Sequence, residues 1–398
     1  MNHSTHRLTI NSAAVSERPD ARLVAAESAC SVSCYDHHIP EFVEAALERL
    51  YGNLFSSLPE LKIYGKLTRQ TSTYVVRHGD EITAIFLFEQ SDRRIKVINE
   101  GMKVSADELQ LFARTIFSRY RSADFIDFNA VEATACPLAF PHQRVDRACD
   151  LVLDLPATPD AYLASLGKHL RYNIRRALAR LQAEHPSFRV DFFDAADIRE
   201  SHVREIIGLN KARMANVNRV YRRDQDEVQR VIDLCRARGL VAVMSIDGKV
   251  CAGSVGFLVG HTHIGRIVAH DPGYDKYSLG TLCIFLCIRE CIARGYQQFN
   301  FMSGNNEYKT MLGGVPHDLE QIVLYRSKAQ LLLNPDVAAR MLAAKLAGRA
   351  KQKVQLKLST LRNLKSQGKL DARAKLLFFA LDNLRTLKDH VSGFAKRR

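Results

Sequence analysis

Two stretches of this chain follow one order: short strands in antiparallel succession, then a helix, then a short aromatic strand. In the first, Ser72 to Val76, Ile82 to Phe88 and Arg94 to Ile98 read as strands, with His78-Gly79-Asp80 turning the first pair. A helical stripe of Leu109, Phe112, Ala113, Ile116 and Phe117 follows, and then Phe125-Ile126-Asp127-Phe128. In the second, Leu240 to Ile246, Val250 to Val259 and His263 to Ala269 read as strands, with Asp247-Gly248 and Gly260 at the turns. A helix from Leu279 to Ala293, closed by Gly295, leads to Phe299-Asn300-Phe301. The shared order predicts an internal duplication and an α/β fold of two mixed, mostly antiparallel sheets flanked by helices.

A chain of 398 residues exceeds what one core of about 250 residues holds, and 46% apolar with 25% charged residues excludes disordered and collagen-like classes. No run approaches the roughly 18 apolar residues of a spanning helix, and the first thirty residues have no apolar stretch behind a basic start, so the expected location is cytoplasmic. An odd set of nine cysteines without regular spacing predicts reduced thiols. The net charge is +14, of which residues 349–398 carry +11, so the basicity belongs to a tail. Leu356, Leu361, Leu364, Leu370 and further leucines recur among its cations. Such a tail either lies on an anionic membrane surface, docks on a polyanion or partner subunit, or packs as ordinary helices with a solvated basic face.

Between the two series the spacing predicts one long helix, Pro159 to about Ala183, then a strand at Arg189 to Phe193 and helices near 197–215 and 225–238. On the long helix Lys168, Arg171 and Arg175 fall three and four apart with Arg176 beside them, opposite Leu166, Leu170, Ile174, Leu178 and Leu181. That is either a site for phosphates or a solvated face over packed leucines. Downstream, Tyr277-Ser278-Leu279-Gly280-Thr281 ends a strand and opens a helix, where free N–H groups and the helix dipole suit a pyrophosphate. The other reading has Ser278 capping the helix and Gly280 packing on the sheet.

Four segments, Asp271-Pro272-Gly273-Tyr274, Tyr277-Ser278-x-Gly280, Phe299-Asn300-Phe301 and Gly304-Asn305-Asn306-Glu307-Tyr308-Lys309, together resemble the GNAT acyltransferase superfamily in its FemAB-like and CelD-like (cellulose-biosynthesis acetyltransferase) branch. The stretch Tyr162 to Ala177 is similar to that branch's basic linker helix, and the clear likeness spans about 160 to 325. The resemblance implies tandem GNAT-like sheets: a poorly ordered lead-in at 1–38, a degenerate first domain at 39–155, an acyltransferase domain at 156–328 and a basic helical extension at 329–398. It implies transfer of an acyl group, chiefly acetyl, from acyl-CoA as co-substrate and without a metal. The acceptor would be the amine or hydroxyl of a small molecule or glycan precursor, in envelope or exopolysaccharide synthesis; the basic tail would bring such an enzyme to the inner face of the membrane or to a polyanion. The CoA site would be Tyr277, Ser278, Leu279, Gly280 and Thr281 with Arg175, and the acceptor site Asn300, Asn305 and Lys309. The family pattern has Asp where this chain has Asn300 and Asn305, and often Arg at Ser303, which implies either a different acceptor or lost activity.

Acyl transfer from a thioester needs a neutral amine, a donor to the carbonyl oxygen and an acid for the leaving thiolate. The resemblance puts Tyr308 near the end of the pocket as the acid; the other reading is a packed structural tyrosine. His270 or Asp271 at the strand end would accept the amine's proton, although an Asp before Pro also serves as a turn residue. Lys309 either neutralises a phosphate, pairs with an acid or is solvated. Two rival functions stand beside this one. Fem-type enzymes of similar sequence use aminoacyl-tRNA as donor, which the basic helix and tail would accommodate, and a GNAT-like scaffold without catalysis would bind a polyanion or membrane through the tail. Cys283, Cys287 and Cys291 alternate with Leu282, Ile284, Phe285, Leu286 and Ile288, which predicts buried core residues and not a metal site. Cys30, Cys34, His37 and His38 lack a second ligand pair, and neither a Walker loop nor Gly-x-Ser-x-Gly is present.

Overall fold

The computed structural model describes residues 6–9, 30–134, 137–216, 221, 223–304 and 307–366. The chain divides into two compact units: unit 1 is Met1–Ala148 with Val259–Thr262 and Asp318–Pro335, and unit 2 is Cys149–Leu258 with His263–His317 and Asp336–Arg398. The division thus falls near 148, not 155, and unit 1 regains a C-terminal segment that sequence assigned largely to the second domain.

In chain order the first elements are β1 (His6–Thr9), β2 (Cys30–Tyr35), α1 (Val43–Tyr51), α2 (Leu58–Ile63), β3 (Ser72–His78), β4 (Glu81–Ser91), β5 (Arg94–Val97), β6 (Lys103–Val104), α3 (Ala106–Arg119), β7 (Phe125–Ala133) and β8 (His142–Asp154). There follow α4 (Pro159–Ser165), α5 (Lys168–Glu184), β9 (Arg189–Asp194), α6 (Glu200–Asn216), α7 (Gln225–Arg238), β10 (Gly239–Ile246), β11 (Lys249–Val259), β12 (Thr262–His270), α8 (Leu279–Ala293), β13 (Gln298–Ser303), α9 (Glu307–Met311), β14 (Val315–Tyr325), α10 (Lys328–Leu333) and α11 (Pro335–Ser366). The fold is mixed α/β, with mostly antiparallel sheets flanked by helices.

Unit 1 has the strand order β1-β2-β3-β4-β5-β7-β14, with β6 also on β7. The β2–β3–β4–β5 ladder is antiparallel, whereas β5 and β7 run parallel, joined through α3 as a crossover needs. Helix α3 starts at a full capping box: Ser105 accepts from the Glu108 N–H and Glu108 returns to the Ser105 N–H. Its apolar stripe buries Leu109, Phe112, Ala113, Ile116 and Phe117 against the sheet. Where sequence expected a lead-in at 1–38, β2 extends the sheet, with Val32 and Cys34 in its core.

Unit 2 has the strand order β8-β13-β12-β11-β10-β9. Asp247 and Gly248 both have positive φ (51° and 75°), the backbone of a two-residue turn between β10 and β11, paired Ile246 to Lys249. Helix α8 is apolar nearly all round and lies inside the core, with Cys283, Cys287 and Cys291 buried among its leucines and isoleucines. The single long helix expected from Pro159 to Ala183 is two helices: Leu166 and Gly167 are extended (ψ 150° and 143°), and α5 begins after them. Leu170, Ile174 and Leu181 of α5 are buried while Lys168, Arg175 and Arg176 are exposed. Among the described residues no helix is long and apolar enough to cross a membrane, all eight cysteines are free thiols, and no group of three His, Cys, Asp or Glu is placed to hold a metal. Of the basic tail, residues 367–398 lie outside the described residues.

Candidate functional site

Unit 2 contains a cavity of about 240 Å³. Its walls are β12 from Gly265 to Val268, β13 from Phe299 to Ser303, Ser254 of β11, Ile284 and Cys287 of α8, and the C-terminal part of α6. Small residues on β11 make the room. A Cβ at Gly256 would lie 2.2 Å from the Nε2 of His263, so only glycine lets that ring lie across the sheet. The ring then stacks on Phe299 at 4.5 Å and 23°. His263 is 2% exposed, and neither ring nitrogen has a hydrogen-bond partner. Burial pushes its imidazole down to about 3, so it is neutral at ordinary pH.

Among the described residues four cations line the cavity, Arg213, Arg223, Arg266 and Lys309, and no carboxylate does. Arg223 donates to the Asn210 side-chain oxygen at 3.2 Å, and Arg266 lies 3.4 Å from Glu227. The Nε of Arg213 is buried without a partner. Lys309 donates to the carbonyls of Met302 and Ser303, both at 3.0 Å, and burial lowers its pKa against the pull of Asp150.

The end of β13 is a bulge that aims its last residues at this space. Register slips between Asn300 and Ser303, and Met302 takes a left-handed φ of 61°. The Asn300 side chain holds that shape, accepting from the Met302 N–H at 2.6 Å and donating to Asp150 at 3.1 Å. Asp150 is itself buried, which raises its pKa, while Asn300 and then Lys309 oppose that shift. This explains the amide at 300: it satisfies a donor and an acceptor together, whereas a carboxylate there would face Asp150.

Of the residues singled out by sequence, the structure brings Tyr308 and Lys309 to the cavity wall. Asn300 lies buried behind it as the bulge holder, and Asn305 lies outside the described residues. His270 and Asp271 do not line the cavity. His270 Nε2 meets Asp275 at 2.8 Å, and the Asp271 carboxylate accepts from the Gly273 N–H at 2.9 Å, closing the turn. Ser278 stands at the N-cap of α8 with φ 52° and ψ 43° and makes no side-chain capping bond. Thr281 N–H reaches the Ser278 carbonyl, while the N–H groups of Leu279 and Gly280 fall at positions that have no partner within a helix. A Cβ on Gly280 would lie 3.2 Å from His270 Nδ1, so the helix start presses against the strand end. Tyr277 is fully buried and its hydroxyl donates to Glu184 of α5. Glu184 also takes Lys276 at 2.7 Å and Arg180, and Lys276 chiefly, with these others, holds its carboxyl down at about 2. The turn is thereby tied to α5, on which Arg175 is exposed.

Sequence reasoning missed His263, Arg213, Arg223 and Arg266. The signal was the run of small and polar residues in two otherwise apolar strands: Gly253, Ser254 and Gly256 in β11, His263, Gly265 and Arg266 in β12.

Residues 168–310 match the family described as Acetyltransferase (GNAT) domain. A search of curated proteins gives no match. Among solved structures, FemX is similar over 74% of this chain and 98% of its own at 10% identity, with a TM-score of 0.56. Looser likenesses are L-PGS from Bacillus licheniformis (14% identity, 79% and 98% covered, TM-score 0.45) and a tandem GNAT protein from the clavulanic acid biosynthesis pathway (12%, 74% and 98%, 0.34). The likeness to FemX establishes a shared fold, and the segment similar to the GNAT domain family, residues 168–310, contains the β12–α8 turn and the described residues of the cavity wall.

Proposed function

We propose that unit 2 transfers an acyl group, chiefly acetyl, from acyl-CoA to an amine acceptor seated in the cavity. The observation that carries this reading is Tyr308 lining a cation-walled cavity within the segment that matches the GNAT domain. The donor's pyrophosphate would rest on the Leu279 and Gly280 N–H groups at the start of α8. Two residues of β12, about 7 Å at 3.3 Å per residue, separate Val268 of the cavity wall from His270 beside that turn.

The amine nitrogen attacks the thioester carbonyl carbon; the C–N bond forms and the C–S bond breaks. The four cations among the described residues of the wall disfavour an ammonium there, so the acceptor releases its proton to solvent and enters as the neutral nucleophile. As the tetrahedral adduct collapses, the attacking nitrogen gives its surplus proton to water, while the Tyr308 phenol gives its proton to the departing thiolate and recovers one from water. Amine and thioester thus become amide and thiol.

The test pairs calorimetry with kinetics. Acetyl-CoA should bind one-to-one, and Gly280→Asp should abolish binding, since it adds a negative charge at the turn and crowds His270. Tyr308→Phe should keep donor affinity and lower kcat by about 10²-fold or more. Full activity in Tyr308→Phe, or no binding of any acyl-CoA, overturns the reading. A second donor, aminoacyl-tRNA, is favoured by the exposed Lys168, Arg175 and Arg176 on α5; strongly salt-dependent tRNA binding would select it. Exposed Leu342, Leu346 and Val354 on α11, beside its lysines, support contact of the extension with a membrane surface or polyanion.

A further inference from the structure

We propose that the acceptor taken by this cavity carries an oxyanion, a carboxylate or phosphate monoester on a small amine, held by the guanidinium groups of Arg213, Arg223 and Arg266. The inference rests on the acyl-transfer reading for the acceptor's role, but the binding site stands on its own geometry.

Charge is the first argument. Among the described residues three arginines and Lys309 line the space and no acidic side chain does. Such an excess is unfavourable unless an anion answers it. The carboxylate nearest to Arg266, Glu227 at 3.4 Å, is shared with Arg230 at 3.6 Å, so one acid serves two guanidinium groups. Arg223 spends a bond on the neutral amide of Asn210. Arg213 keeps a buried Nε unpaired. A planar carboxylate or a phosphate matches guanidinium donors two at a time, which an ammonium or hydroxyl cannot do.

His263 lines the same cavity, almost wholly buried. Phe299 on one face and the bare Gly256 backbone against Nε2 fix the ring in place, with both nitrogens enclosed. Held neutral by burial, it adds an uncharged floor beneath the arginines and not a fifth cation. The arginines are partly exposed and the histidine is not, so the anionic end of the acceptor lies toward solvent and its polar body toward the floor. A space of 240 Å³, set against a water's share of about 30 Å³, has room for roughly eight water-sized groups.

Three probes of one skeleton test this: β-alanine with a carboxylate, O-phosphoethanolamine with a phosphate, and ethanolamine with neither, each titrated by calorimetry into the full chain. The expected result is at least about tenfold tighter binding of one acidic probe than of ethanolamine, weakening as salt is raised. Which acidic probe wins separates carboxylate from phosphate. Arg213→Gln, and separately Arg266→Gln, should remove the preference by weakening the acidic probe about tenfold. Equal binding of all three, or binding of none, overturns the inference. Acetyl-CoA is titrated alongside: an acidic probe that binds while no acyl-CoA does leaves the oxyanion site standing and removes the acyl-transfer reading, whereas donor binding without acid preference does the reverse.

Discussion

Unit 1 and unit 2 follow the same order of elements, yet one is filled and the other hollow at the corresponding place. In unit 1, Phe86 of β4, Phe112 of α3, Phe128 of β7 and Tyr74 of β3 pack ring against ring, with Phe112 at 4.8 Å from Tyr74, 5.0 Å from Phe86 and 5.5 Å from Phe128. In unit 2 the cavity opens among β11, β12, β13 and α8. The strands β4 and β11 are both eleven residues long. Counted from their first residues, Phe86 and Phe88 stand where β11 has Ser254 and Gly256. Hydrophobic order makes the scaffold in both units, and residue size at a few positions decides which one has room for a ligand. The same contrast holds for charge: Asp127 of β7 is paired with Arg94, whereas Asn300 of β13 faces Asp150.

Phe112→Ala should be the most damaging change to stability, costing about 3–5 kcal/mol because a cavity replaces a fully buried ring. Denaturant unfolding would read it, and ligand affinity in unit 2 should be unchanged at temperatures where the variant is folded. Ser254→Phe carries the comparison the other way. It should fill the cavity and cut transfer by about 10²-fold, while circular dichroism shows a folded protein; retained activity would break the correspondence between the two strands.

Next in size is an acid effect confined to unit 2. His263 titrates near 3 when folded against 6.5 when free. Between those values the unfolded chain binds a proton that the folded chain refuses, so stability falls as pH drops from 6.5 toward 3, by at most about 1.4 kcal/mol per pH unit. Above pH 6.5 the contribution is complete and flat. His263→Asn should remove that part of the slope, as unfolding midpoints taken across this window would register. The smallest difference lies at the two helix starts. Ser105→Ala breaks a capping box and should cost about 1 kcal/mol, whereas Ser278→Ala removes no cap and should stay within about 0.5 kcal/mol. Equal losses would mean that Ser278 caps α8 after all.

Strong apolar periods were legible from sequence alone: α8 and α7 begin and end where the pattern places them, and the strands of both meanders lie within a few residues of expectation. The strands β8 and β14 were not. In β8, Arg144, Asp146, Arg147 and Asp150 interrupt any apolar alternation, and few of its side chains are buried, so pairing and not hydrophobic pattern makes it a strand. In β14 the buried residues gather at the end, Ile322 to Tyr325, after a polar start containing Pro316 and His317. Tyr308 and Lys309 were found through a local motif. The arginines and His263 belong to no motif, because they come from separate elements, and tertiary packing alone brings them to one space.

The bond between Asn300 and Asp150 has a consequence for how such a chain can change by descent. The two side chains are 150 residues apart in sequence and 3.1 Å apart in space. Replacing Asn300 by Asp would set two buried carboxylates against each other, and replacing Asp150 first would leave the amide without its acceptor. Either single step passes through a weakened ancestor, while the exchange of both, Asp150→Asn with Asn300→Asp, restores the pair with donor and acceptor reversed. Among relatives of this chain the two positions should therefore change in concert.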